Sequence, residues 1–155
     1  MMDFPSLRVI DPESDVAKTA KTLLADCVIL THDNKILLQY RPLNWHSNAG
    51  GLNLFGGHVD AGETVEQGLC REIHEELGAS ISVDEVQFIG AVSEDWANHK
   101  EFVHIYFWHD IENKITGCFE AEAREFTSVE EALAMPKLMD YAKWALLRCK
   151  ERELL

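Results

Sequence analysis

The chain has 155 residues, 46% hydrophobic and 26% charged, a composition that suits one ordinary globular domain over residues 1–155 with a core of its own. Its formal charge of −13 argues against a surface that grips duplex nucleic acid through clustered Lys and Arg, so a polyanionic substrate needs a metal ion as intermediary. There is no basic-then-apolar leader, no apolar run of membrane-spanning length and no C-x-x-C pair among Cys27, Cys70, Cys118 and Cys149; a cytoplasmic protein with reduced core thiols is expected.

Residues 1–20 form a polar leader containing Pro5 and Pro12 that adds a strand or a helix, and its strand-prone "SLRVI" could serve a homodimer. "TLLADCVILT", the turn residues "HDNK" and "ILLQYRP" predict a hairpin. The loop "LNWHSNAGG" then delivers the chain to "LNLFGGHVD", read as a short strand broken by Gly56 and Gly57. Thr64 with Gln67 fits a capping box, and Val65, Leu69, Ile73 and Leu77 recur every four residues, which predicts a helix from Val65 to Leu77 stopped by Gly78.

"VQFIGAVSEDW" and "FVHIYFWHDI" read as strands joined by "ANHK", the second central because both of its faces carry large side chains. "AREFTSVEEALAMP" reads as a short strand entering a helix with Ser128 as N-cap and Glu131 at N3. In the tail, Leu138, Tyr141, Ala142, Ala145 and Cys149 fall at helical spacing. Helices interleaved with strands in this order predict an α/β fold with a mixed sheet.

The segment "GGHVDAGETVEQGLCREIHEELGA" crowds six acids around one arginine. With Ile73 at the centre of the buried stripe and about 100° per residue, Glu72, Glu75 and Glu76 fall in one arc of about 100° beside it, and the small Gly68 leaves room in that arc for a ligand to approach. Acids in the last turns of a helix oppose the macrodipole, and Arg71 can pair with Glu75 without compensating the rest. A hard divalent cation, Mg²⁺ or Mn²⁺, resolves the conflict, because it takes carboxylate oxygens and keeps positions open for water or phosphate. A solvated acidic face is the competing account.

Gly57, five residues, Glu63, seven residues and then "REIHEELGA" resembles the Nudix box of the Nudix hydrolases, from Gly57 to Ala79. The order of elements outside the box resembles the Nudix α/β/α sandwich with its mixed sheet along most of the chain. The resemblance implies that Glu72, Glu75 and Glu76 bind the metal together with the Gly57 carbonyl, that Arg71 orients the glutamates, and that Glu63 supports the loop or touches metal. It implies Mg²⁺-dependent hydrolysis of a nucleoside diphosphate linked to another moiety, by water attack on a phosphorus of the pyrophosphate. Leu52 and Phe55 stand where many relatives carry Trp and Pro, and Ala79 is small for the last aliphatic position.

Around the box, Arg41 is a candidate phosphate contact or a solvated strand-end arginine, and Trp96, with Trp45 and His46, is a candidate stacking partner for a base or a loop anchor. Glu72 itself, or Glu120 or Glu122 from the later loop, is the candidate general base. The expected substrate is a small nucleoside triphosphate or nucleotide sugar, with no duplex nucleic acid and no membrane as partner. A non-catalytic nucleotide-sensing or partner-binding module of the same fold is the alternative.

Overall fold

The structure, a computed structural model, describes residues 4–14, 22–46, 48–94 and 100–155. In chain order its elements are β1 (Leu7–Ile10), β2 (Thr22–Leu30), β3 (Ile36–Tyr40), β4 (Leu52–Asn53), β5 (Phe55–His58), α1 (Val65–Leu77), a 3₁₀ turn (Val83–Glu85), β6 (Gln87–Glu94), β7 (Glu101–His109), β8 (Glu122–Phe126), α2 (Val129–Leu133) and α3 (Asp140–Glu151). The strands make one mixed sheet in the order β1-β6-β7-β2-β3-β4, with β5 added to β2 and β8 added to β3. β2 and β7, the two longest strands, run parallel at its centre from Thr22↔Glu101 to Leu30↔His109.

Alternation along these strands divides the core. Ala25, Cys27 and Ile29 of β2 meet Tyr106 and Trp108 of β7 beneath Leu69, Ile73 and Leu77 of α1. Val28, Ile105 and Phe107 face the other way, onto Ala142, Ala145, Leu146 and Cys149 of α3. The architecture is therefore the α/β/α sandwich with a mixed sheet expected from the sequence. No helix among the described residues is long and apolar enough to cross a membrane.

Two boundaries differ from the sequence reading, each for a local reason. The strand "LNLFGGHV" breaks at Leu54 and not at the glycines, because the Asn53 side-chain oxygen accepts the Leu54 N–H at 2.8 Å and removes it from the ladder. The tail helix starts at Asp140 and excludes Leu138. That residue bridges Leu52, with Leu52 N–H donating to the Lys137 carbonyl and Met139 N–H to the Leu52 carbonyl, both at 3.0 Å. "SLRVI" is taken up as β1 at the edge of the sheet, antiparallel to β6. Trp96, and the "ANHK" turn apart from Lys100, lie outside the described residues.

At the C-terminus of α1, Gly78 takes φ 66°, and its N–H donates to the His74 carbonyl at 2.9 Å. The loop before β8 crosses this end, with Thr116 N–H donating to Leu77 O and Phe119 N–H to Glu76 O, both at 2.9 Å, so the loop supplies partners for carbonyls that the helix leaves open. A Cβ on residue 78 would run into the Thr116 hydroxyl. Gly78→Ala is therefore expected to destabilise by at least about 1 kcal/mol in urea unfolding, from the left-handed backbone alone. An unchanged midpoint would show that the loop yields and contributes nothing to the cap.

Candidate active site

The glycine turn and α1 are joined by one arginine. Thr64 caps the helix reciprocally with Gln67, which fixes where the first turn begins. From the second turn Arg71 reaches back over the loop. Its Nε donates to Glu63 Oε2 at 2.8 Å, and its Nη2 donates to Glu63 Oε1 at 3.0 Å and to the His58 carbonyl at 2.9 Å. Its Nη1 reaches Glu72 Oε1 at 3.0 Å and Glu75 at 3.3 Å. The forked geometry is one that lysine could not supply. Bonded so, Glu63 is held below the usual carboxylate range, chiefly by Arg71 and then by the Asp60 N–H.

Glu63 thus spends its carboxylate on the loop and not in the arc of the other glutamates. Gly68 also differs from expectation. A Cβ there would meet Val59 at 3.2 Å and Glu63 Oε1 at 3.3 Å, so the close approach that the small residue permits is made by the chain's own loop.

The three box glutamates separate more than the helical wheel predicts. Glu75 remains at the surface with Arg71, and Glu72 is half-buried. Glu76 is 2% exposed and turns under the sheet, where it accepts from Gly56 N–H at 2.9 Å and from Gln39 Nε2 at 2.7 Å. The arc defined the side of the helix, but two donors on the sheet decided the rotamer. Gln39 escaped the sequence reading because a lone polar residue inside "ILLQY" looks like an outward-facing strand position. Asp26 in "LLADCVIL" escaped for the same reason, and it too is buried, at 4% exposure.

These carboxylates raise one another. Burial pushes Glu76 up to about 9, with Asp26 and Glu72 adding to it and the Gly56 N–H opposing. Burial pushes Asp26 up to about 7 against a hydrogen bond from Tyr141 and the nearby Arg41 charge. Glu72 is also raised, first by burial, against Arg71, with Glu75 and Glu120 adding to the effect. Glu120 therefore lies within electrostatic reach of both Glu72 and Glu76, whereas Glu122 pairs with Arg124 at 3.3 Å on the exposed face of β8.

Among the described residues no three of His, Cys, Asp and Glu form a ready-made cation cage. The donor chemistry nevertheless fits a hard divalent ion. Negative charge is concentrated where burial makes it costly, all the donors are oxygens, and the Glu72 carboxylate lies directly on the backbone of residue 57, where a Cβ would sit 2.6 Å from Glu72 Cδ.

On the opposite face of the sheet lies a cavity of about 1320 Å³, with Leu24 and Val103 in its floor and Asn48, Asn53, Tyr141, Arg41 and Lys137 among its walls. His58 belongs to both regions: it lines this cavity, while its carbonyl takes the Arg71 bond. Arg41 thus faces the cavity. Trp45 stacks on His46 with ring centroids 5.3 Å apart and is not among the residues that line the cavity.

A NUDIX domain profile matches residues 21–148. The chain is 33% identical over 110 residues to the CTP pyrophosphohydrolase of Escherichia coli (strain K12), across 70% of this chain and 77% of that protein. It is 32% identical over 81 residues to the oxidized purine nucleoside triphosphate hydrolase of Mus musculus, across 52% of this chain and 49% of that one. The solution structure of the E. coli ORF135 protein superimposes with a TM-score of 0.65 at 26% identity, covering 85% of this chain and 90% of the other.

Because Asp26, Glu72 and Glu76 are raised in the fold, the native state holds more protons than the unfolded chain from about pH 4 up to about 9. Stability from these groups is present at low pH and lost as pH rises through that window. Without divalent cation, the melting temperature should fall between pH 5 and pH 9, less steeply in Glu76→Gln, and saturating Mg²⁺ should flatten the parent's slope. Identical slopes for parent and Glu76→Gln would remove Glu76 from the account.

Proposed function

The chain belongs to the Nudix hydrolase family, and we propose that it hydrolyses a nucleoside triphosphate to the nucleoside monophosphate and pyrophosphate, with Mg²⁺ or Mn²⁺ as cofactor. One observation carries the proposal: a buried carboxylate cluster and a cavity large enough to admit a nucleoside meet at Gly57 and His58. A nucleotide laid across that edge has its base and sugar over Leu24 and Val103 and its phosphates beside the glutamates. Both curated relatives described above carry nucleoside triphosphate chemistry in their names, which favours this substrate over a nucleotide sugar.

Glu72, Glu75 and Glu76, with the Gly57 carbonyl, would hold the cation. When bound, a divalent cation neutralises phosphate charge and readies a water for attack on phosphorus. Glu72 accepts the proton of that water at its carboxylate, a role suited to a carboxyl raised toward neutrality. Glu120 adds a second negative charge from the loop that caps α1, which keeps Glu72 basic. Arg71 holds the Glu72 carboxylate against the turn, and Glu63 holds Arg71. Arg41 and Lys137 line the cavity with positive charge suited to phosphate or sugar oxygens.

A panel of nucleoside triphosphates and nucleotide sugars with Mg²⁺, with products separated by ion exchange, tests this directly. Monophosphate and pyrophosphate from at least one triphosphate are expected. Glu72→Gln should lower kcat by at least about 10²-fold, the size seen when stabilisation of a charged transition state is removed, with the fold retained. Turnover of nucleotide sugars alone would transfer the assignment to that class. Binding without turnover in the parent would favour a sensing module.

A further inference from the structure

The wall of the cavity contains a hydrogen-bond chain that the chemistry above does not use. Leu54 N–H donates to Asn53 Oδ1 at 2.8 Å, Asn53 Nδ2 donates to the Tyr141 hydroxyl, and the Tyr141 hydroxyl donates to Asp26 Oδ2 at 2.7 Å. All three side chains are buried: Asn53 is 5% exposed, Tyr141 6% and Asp26 4%. The polarity of the chain is determined. A backbone N–H can only donate, so the amide oxygen must face Leu54 and the NH₂ must face Tyr141, whose single proton is then left for Asp26.

Two contacts therefore hold the Asn53 amide in one orientation and leave one amide N–H and one oxygen lone pair at the cavity wall. At the far end, Asp26 pairs with Gly56 across β2 and β5, and the Gly56 N–H is bonded to Glu76. The connection runs from the cavity wall to the glycine turn through three buried side chains and the strand pairing of Asp26 with Gly56.

We infer that Tyr141 is a positioning residue for nucleobase discrimination: anchored on Asp26, it fixes the Asn53 amide so that the cavity offers a donor and an acceptor in fixed places. This rests on the reading of the cavity as the nucleoside site. A base edge with the complementary acceptor and donor is accepted, and one that leaves the buried amide unpaired is rejected. Without the hydroxyl, Asn53 keeps only its Leu54 contact, about which the amide can swing, so its N–H and lone pair no longer stand in fixed places for the base. Tyr141 loses selectivity through Asn53 and not through contact with the reacting atoms.

The test is a double-mutant cycle of Tyr141→Phe and Asn53→Ala, read as the ratio of kcat/KM between the best and worst of the four common ribonucleoside triphosphates. Equilibrium binding of the four nucleoside monophosphates is measured alongside. Tyr141→Phe should compress the ratio by at least about tenfold, Asn53→Ala by as much or more, and the double variant no further than Asn53→Ala. Additive effects, or a Tyr141→Phe variant that loses thermal stability while keeping the parental ratio, would make Tyr141 a structural residue and overturn the inference.

The Asn53→Ala arm leaves the Tyr141–Asp26 bond in place and serves if Tyr141→Phe does not fold. Parental discrimination in that variant also overturns the inference. Failure of the parent to hydrolyse any triphosphate counts against the proposed function, whereas equal affinity of the parent for the four monophosphates counts against this inference.

Discussion

A carboxylate almost without water fixes where α1 lies on the sheet. Glu76 is bonded to a backbone N–H on β5 and to a side-chain amide on β3, two strands that do not pair with each other. A charge in that position is costly to bury, and removing one donor would leave it uncompensated. The helix is therefore registered to both strands at once. One turn earlier, Glu72 comes to rest on Gly57, and Arg71 on the same turn can close the loop against the helix.

The same arrangement explains how six acids coexist within one short segment. Arg71 pairs with Glu63, Glu75 and Glu72 through a forked guanidinium, while Glu76, the innermost, has hydrogen bonds from Gly56 and Gln39 and feels the charges of Asp26 and Glu72. The close approach of β5 to Asp26 requires glycine at 56, where a Cβ would run into Asp26 Oδ1. Negative charge is thus graded from neutralised at the surface to frustrated in the interior, and the frustrated end is where a cation gains most.

Much of this was legible in the sequence because it is local. The Thr64 and Gln67 cap, the four-residue stripe of α1, the Gly78 stop and the Arg71 to Glu75 pair depend on spacing within one helix, and the structure reproduces them. The central position of β7 was legible from large side chains on both faces. What spacing could not show are contacts made across the sheet. Gln39 and Asp26 are single polar residues in apolar strands, and their burial is explained only by partners from other elements, Glu76 for Gln39 and Tyr141 for Asp26. The helical wheel gave the right side for Glu76 but not its rotamer. Gly68 was legible as small, but that its neighbour would be Val59 depended on the loop folding back.

The parallel pairing of β2 with β7 also has a kinetic consequence. Residues 22–30 and 101–109 must meet before the middle of the sheet exists, while β6 and β7 are nearly adjacent in sequence. Closing so long a loop costs chain entropy before any contact repays it, so β6 and β7 with the 3₁₀ turn are the natural early unit, and capture of β2 is the late, slow event. The glycine turn and α1 lie inside the loop that this capture closes. The stripe of α1 has Ala25, Cys27 and Phe55 of β2 and β5 to pack on as soon as it is made, whereas Tyr106 and Trp108 arrive only with β7, so this half of the core stays open at one side until late in synthesis and is the face that self-association would find.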